Sequence, residues 1–145
     1  MKSINSAEPQ DLKQIVAILK DQELPTEDIN SRNLKNFFKL ADNIEILAIA
    51  GLELYDHDGI LRSLAVRDHV QEQGLGTEMV HYVEKKAQDS GITRMFLLTE
   101  TAENFFKKLR YSNYDRAAVP AAVNQSMEFS KLCSESAVCM KKDLS

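Results

Sequence analysis

Tryptophan is absent from this 145-residue chain, and cysteine, proline and glycine are scarce, at two, three and five residues. So little proline and glycine leaves no room for a low-complexity linker. Two cysteines exclude a disulfide scaffold. Cys133 and Cys139 have no histidine nearby and so lack the four-ligand spacing of a zinc site. They read as free thiols, buried or half-buried. No apolar run approaches the roughly 18 residues that span a bilayer. The opening residues, MKSINSAEPQ, lack the apolar centre of a secretion signal. The cytoplasm is therefore the expected compartment, with no membrane partner. Excess positive charge is missing too: a net charge of −4 argues against general nucleic-acid binding.

What is present is ordinary for a globular protein, with 43% hydrophobic and 28% charged residues. The length suits one domain, residues 1–145, around one core. Residues 2–5 fit a short strand. Pro9, followed by Leu12, Ile15, Val16 and Leu19, marks a helix, which Pro25 ends before a second short helix opening at 26–28. Asp42-Asn43 reads as a hairpin turn between strands at 36–41 and 44–55. A further strand spans 60–66. Leu75, Met79, Tyr82, Val83 and Ala87 share one face of a helix that Gly91 terminates. A strand at 94–99, a helix at 102–109, a strand at 111–115, a helical or irregular stretch at 120–132 and a strand at 137–144 complete the pattern. The order β-α-α-β-β-β-α-β-α-β-β implies an α/β (α+β) fold with a mixed, largely antiparallel sheet flanked by helices.

The segment LAVRDHVQEQGLGTEMV is the most informative. Gly74 and Gly76 stand where an apolar strand turns into an amphipathic helix. Backbone N–H groups at a helix start attract anions, and glycine admits close approach. A phosphate-bearing ligand is expected there, although a plain tight turn would use the same glycines. G-x-G-x-x-G is absent, because Met79 takes its third position, and no GK[ST] follows Gly76.

The pattern Q-x-x-G-x-G in this setting resembles the acyl-coenzyme A pyrophosphate loop of the GNAT family of N-acetyltransferases. The element order extends the resemblance over nearly the whole chain. GLELYDHDGILRSLAV, LLTETAENFFKKLRY and EFSKLCSESAVCM resemble its bacterial arsenic-resistance-associated subgroup. This implies acetyl-coenzyme A as co-substrate, in a splay between strands 60–66 and 94–99. Leu64, Ala65 and Val66 would then pair with the pantetheine arm. Gln71, Gln73, Gly74, Leu75, Gly76 and Thr77 would enclose the pyrophosphate. Asn104 and Phe105 would contact the far side of the cofactor, with Lys107 and Lys108 near the adenosine phosphate. A homodimer is compatible with the family. The tyrosine that often serves it as proton donor is replaced by Phe106, with Tyr111 and Tyr114 as substitutes.

Direct acetyl transfer needs a neutral amine, stabilisation of developing negative charge and a proton acceptor, but no metal. Glu53, in the apolar strand AGLELY, is the expected base; a solvated strand position is the alternative. Arg62, a cation inside ILRSLAV, is the expected clamp for a substrate carboxylate, or else the partner of an internal salt bridge, even with Glu53. Thr99 and Glu100 are expected to line the acceptor pocket, and Thr101 to cap the next helix. The reading is an acetyl-coenzyme A-dependent N-acetyltransferase for a small-molecule amine, an amino acid or amino-acid-like toxin among the acceptors. A non-catalytic acyl-coenzyme A-binding module is the rival.

Overall fold

The structure is a computed structural model that describes residues 2–144. Its strands are β1 (Ser3–Ser6), β2 (Phe37–Ala41), β3 (Ile46–Tyr55), β4 (Asp58–Val66), β5 (Arg94–Thr99), β6 (Ser112–Asn113) and β7 (Val138–Asp143). Its α-helices are α1 (Leu12–Asp21), α2 (Leu75–Asp89), α3 (Glu103–Lys108) and α4 (Ala121–Asn124). The strands form one sheet in the order β1-β2-β3-β4-β5-β7-β6. Only β4 and β5 run parallel; every other neighbouring pair is antiparallel. The expected mixed, largely antiparallel sheet is the observed one.

Strand alternation divides the core between the two faces of the sheet. On one face, Met79, Val80, Val83 and Ala87 of α2 pack against Leu52, Leu61, Met95 and Leu97. On the other, Ile15, Ile18 and Leu19 of α1 cover Phe37, Ile49 and Ala65. The C-terminal segment continues that second layer, with Val119, Val123 and Phe129 against Ile60, Phe96 and Leu98.

Two local expectations need correction. No helix forms at 26–28; Thr26–Ile29 makes a single turn, with Ile29 N–H donating to the Thr26 carbonyl at 3.1 Å. The reason is local competition. Asn30 Oδ1 accepts from Arg32 N–H, and Asn33 Oδ1 from Asn30 N–H, and such bonds hold the backbone out of a helix. The strand expected at 111–115 shrinks to Ser112–Asn113. The stretch 120–132, expected to be helical or irregular, consists of α4 and a single π-turn at Glu128–Leu132.

The feature that positions the site is a break in the sheet. β4 and β5 pair at Asp58–Arg94, Gly59–Met95 and Ile60–Phe96, then stop. The cause lies on the other edge of β4. Ile49 faces Ala65, yet Gly51 faces Arg62, so β4 carries one extra residue there. Ser63 takes a left-handed conformation, φ 57°, as a bulge allows. The bulge bends β4, and beyond Ile60 the two strands part.

Candidate functional site

Between the parted strands lies a cleft of about 510 Å³. Leu61, Arg62, Ser63 and Leu64 form one wall and Leu97, Leu98 and Thr99 the other. The α1–β2 loop contributes Gln22–Pro25 and Glu27, and the C-terminal segment contributes Glu128 and Leu132–Ser134.

At one end, α2 begins with Gly74 as its N-cap, left-handed at φ 82°, and no side chain caps it. The first N–H groups of the helix are thereby left to water or to an anion. Glu72 is also left-handed, φ 68°, so two residues of the loop turn sharply. A Cβ on Gly76 would sit 3.3 Å from the Phe105 ring and 3.8 Å from Val66. The glycine therefore lets α2, α3 and the end of β4 converge. Gln71 anchors the loop, its Nε2 donating to the Val66 carbonyl at 3.0 Å. Gln73 is exposed, and Leu75 is buried in the core beneath the loop, with Thr77 half-buried beside it. Asn104 is exposed on α3, and Phe105 meets Phe106 edge-on at 5.0 Å. Leu64 and Val66 are half-buried and Ala65 buried; their stretch of β4 lies past the last pairing with β5. Lys107 pairs with Glu103 at 2.9 Å.

At the other end is a buried ionic centre. The Arg62 side chain is 1% exposed and touches three carboxylates. Its Nη2 donates to Asp28 Oδ1 at 2.8 Å, and its Nη1 to Glu53 Oε2 at 2.9 Å and to Asp28 Oδ2. Nε donates to Ser63 Oγ at 3.1 Å, with Glu128 Oε1 3.8 Å away. Burial opposes the charged guanidinium, but the Asp28 hydrogen bonds and the surrounding carboxylates outweigh it and raise the Arg62 pKa. Arg62 thus takes the internal ion pair that was the alternative to the expected clamp, with four hydrogen bonds from its five N–H donors.

Glu53 is one of those partners. Its other oxygen accepts from the Tyr55 hydroxyl, and burial together with this bond pushes the tyrosine pKa up. Glu53 lies opposite Ile60 in the register and lines a separate hollow of about 280 Å³, with Asp28, Phe37 and Met127. The carboxylate expected as the base is therefore held by Arg62, outside the larger cleft. Asp28 and Glu128, which the sequence reading missed, complete the centre. They sit about 34 and 66 residues from Arg62 in the chain, where no spacing rule connects them.

Glu128 faces the cleft and is 4% exposed. Burial raises its pKa, and the Arg62 charge offsets this only in part. The π-turn sets its position: Cys133 N–H donates to the Glu128 carbonyl at 3.2 Å, bringing both side chains to one wall. The Cys133 thiol is pushed up to about 12 by burial and by Glu128 beside it.

Thr99 and Glu100 line the cleft, each with a structural duty. Thr99 Oγ1 accepts from Ala102 N–H at 3.0 Å just ahead of α3; the cap expected of Thr101 does not form, and no side chain caps this helix. Glu100 accepts from Ser134 Oγ at 2.6 Å, tying the end of β5 to the C-terminal segment. Phe106 lines the cleft; Tyr111 instead donates to buried Glu84, and Tyr114 packs on Phe96. Among the described residues no tyrosine lines the cleft, and no cluster of metal-ligating side chains was found.

The sequence model of the acetyltransferase (GNAT) family matches residues 6–111. Solved structures share the fold. N-acetylglutamate synthase from Neisseria gonorrhoeae, complexed with coenzyme A and N-acetyl-glutamate, aligns at a TM-score of 0.88 and 19% identity. That match covers all of this chain (100%) but only 35% of the synthase. Rv2747 from Mycobacterium tuberculosis, also solved with coenzyme A, aligns at 0.82 and 18% identity, covering 98% of this chain and 99% of its own. A GNAT-family acetyltransferase from Staphylococcus aureus aligns at 0.79 and 15% identity, with 100% of both chains covered.

Proposed function

We infer that this chain, which belongs to the acetyltransferase (GNAT) family, transfers an acetyl group from acetyl-coenzyme A to the amine of a small molecule. The observation that carries the reading is the parting of β4 and β5 beside an uncapped, glycine-led helix start. Unpaired strand edges suit the amides of a pantetheine arm, along Leu64, Ala65 and Val66. The loop from Gln71 to Thr77 suits a pyrophosphate, and a Cβ at Gly76 would press on Phe105, which stands beside it. Asn104 and Phe105 stand on the adjoining face of α3. The coenzyme A complexes of two similar structures support the same ligand.

Acetyl transfer from a thioester to an amine needs no metal. A thiol leaves tolerably as thiolate, so Phe106 in place of a tyrosine does not bar the reaction. On the acceptor side, Thr99, Glu100, Ser63 and Glu128 line the space, while Arg62 and Glu53 support it from behind. The engaged guanidinium makes an amine without a carboxylate the better acceptor than an amino acid. The EFSKLCSESAVCM segment forms part of this wall, so the arsenic-resistance-associated subgroup remains the narrower reading. We place the protein in the cytoplasm, as one domain over residues 1–145, and allow a homodimer.

The absence of a tyrosine from the cleft lining favours one rival, a non-catalytic acyl-coenzyme A-binding module. Thiol release from acetyl-coenzyme A in the presence of a broad panel of amines decides between them. Amine-dependent release above the enzyme-free rate supports transfer. Tight acetyl-coenzyme A binding with no such release supports the rival.

A further inference from the structure

We propose that Glu128 receives the acceptor amine, first as the counter-ion of its ammonium form and then as the acceptor of its proton. This rests on the acetyl-transfer reading and assigns within it a residue from the C-terminal segment.

Position is the first argument. Of the three carboxylates around Arg62, Asp28 and Glu53 take its direct hydrogen bonds at 2.8 and 2.9 Å and line the separate hollow. Glu128 alone stands in the cleft, 3.8 Å from Arg62 Nε, beyond hydrogen-bond range. Its carboxylate thus feels the positive charge without being consumed by it. Charge is the second argument. One guanidinium faces three carboxylates, so the centre has room for a second cation. Glu23, Glu27 and Glu100 also line the cleft, whereas Arg62 is the only cationic side chain among its lining residues.

The third argument is the setting of the group. The groups that face Glu128 are Arg62 from β4, Asp28 from the α1–β2 loop, Glu53 from β3 and Cys133 at the end of its own π-turn. Burial raises its proton affinity above that of an ordinary carboxylate, and Arg62 opposes that rise; a carboxylate raised in this way is the stronger proton acceptor. The step balances. An N–H proton of the ammonium passes to a Glu128 oxygen, and the freed nitrogen lone pair forms the bond to the thioester carbonyl carbon. The carbon–sulfur bond breaks with its electron pair on sulfur. The proton that nitrogen still carries in excess leaves to water, and coenzyme A departs as thiolate or, after protonation from water, as thiol.

The test uses ethylamine, small enough to enter without specific recognition. At neutral pH, Glu128→Gln should lower thiol release from acetyl-coenzyme A on the order of 10²-fold. The deficit should shrink at high pH, where the amine arrives neutral, and Glu128→Asp should recover part of the rate. Carbon NMR of carboxyl-labelled glutamate gives a readout independent of turnover. The resonance lost in Glu128→Gln should titrate above the ordinary carboxylate range in the wild-type protein and respond to added ethylamine. A Glu128→Gln rate equal to wild type at every pH, or an NMR signal that titrates as an ordinary carboxylate and ignores ethylamine, overturns the assignment alone. A wild-type protein that binds acetyl-coenzyme A but acetylates neither ethylamine nor any amine of the broad panel overturns the transfer reading and this assignment with it.

Discussion

The glycine loop at the head of α2 and the ionic centre around Arg62 flank the same parted strands, yet they are made of opposite materials. The first is backbone: a left-handed Gly74, an uncapped helix start and a Gly76 that leaves space beside Phe105. The second is side chain: Asp28, Glu53 and Glu128, converging from three other parts of the chain on one guanidinium. A backbone site is local and tolerates many side chains around it. A side-chain site is assembled by the whole fold, and each member is held in place by the others. The cofactor end should therefore lose affinity when altered, and the acceptor end should lose stability or rate.

The largest effect expected is at Arg62. Arg62→Met leaves three carboxylates together without their cation, and breaking a buried pair in this way costs about 3–5 kcal/mol. Denaturant unfolding should show a loss of that size. A loss under about 1 kcal/mol, the range of surface pairs, would mean that solvent already supports these charges and that the two ends are less different than described.

A pH series sharpens the same contrast. Burial raises the Glu128 carboxyl in the folded chain, so the folded state holds a proton that the unfolded state has already released. Stability then falls as pH rises from the ordinary carboxyl range through the raised folded value. Glu128→Gln should lack that part of the decline, so the gap between variant and wild type should move in the variant's favour with rising pH. Unfolding curves that stay parallel across the series would contradict this. The smallest effect is expected at Glu53. Glu53→Gln keeps a hydrogen bond to Arg62 and leaves the cleft untouched, so single-turnover acetyl transfer should change by less than about tenfold, well below the 10²–10⁴ of a lost base.

These two ends also differ in how far the sequence revealed them. The Q-x-x-G-x-G spacing lies within six residues between a strand and a helix, and such local patterns carry backbone geometry directly. The order of elements along the chain was legible in its hydrophobic pattern, and the parting of β4 and β5 followed from the family resemblance. The bulge at Ser63 carried no signal, because serine rarely adopts the left-handed conformation and nothing nearby marks it. Arg62 and Glu53 were visible as charges in apolar strands, but their roles were set by Asp28 and Glu128. Asp28 sits in a turn misread as a helix, where asparagine side chains capture the backbone. Glu128 sits on a π-turn, a form without a periodic signature. Phe106 stood in a tyrosine's place by resemblance alone, while the commitments of Tyr111 to Glu84 and of Tyr114 to Phe96 needed the tertiary contacts.

Calorimetric titration of acetyl-coenzyme A into the folded Gly76→Val and Glu128→Gln proteins tests the division most directly. The valine side chain would occupy the space beside Phe105, where even a Cβ comes within 3.3 Å. Affinity should fall at least about tenfold in Gly76→Val, a change of about 1.4 kcal/mol, and should stay at the wild-type value in Glu128→Gln. Unchanged affinity in Gly76→Val would contradict the placement of the cofactor at the glycine loop.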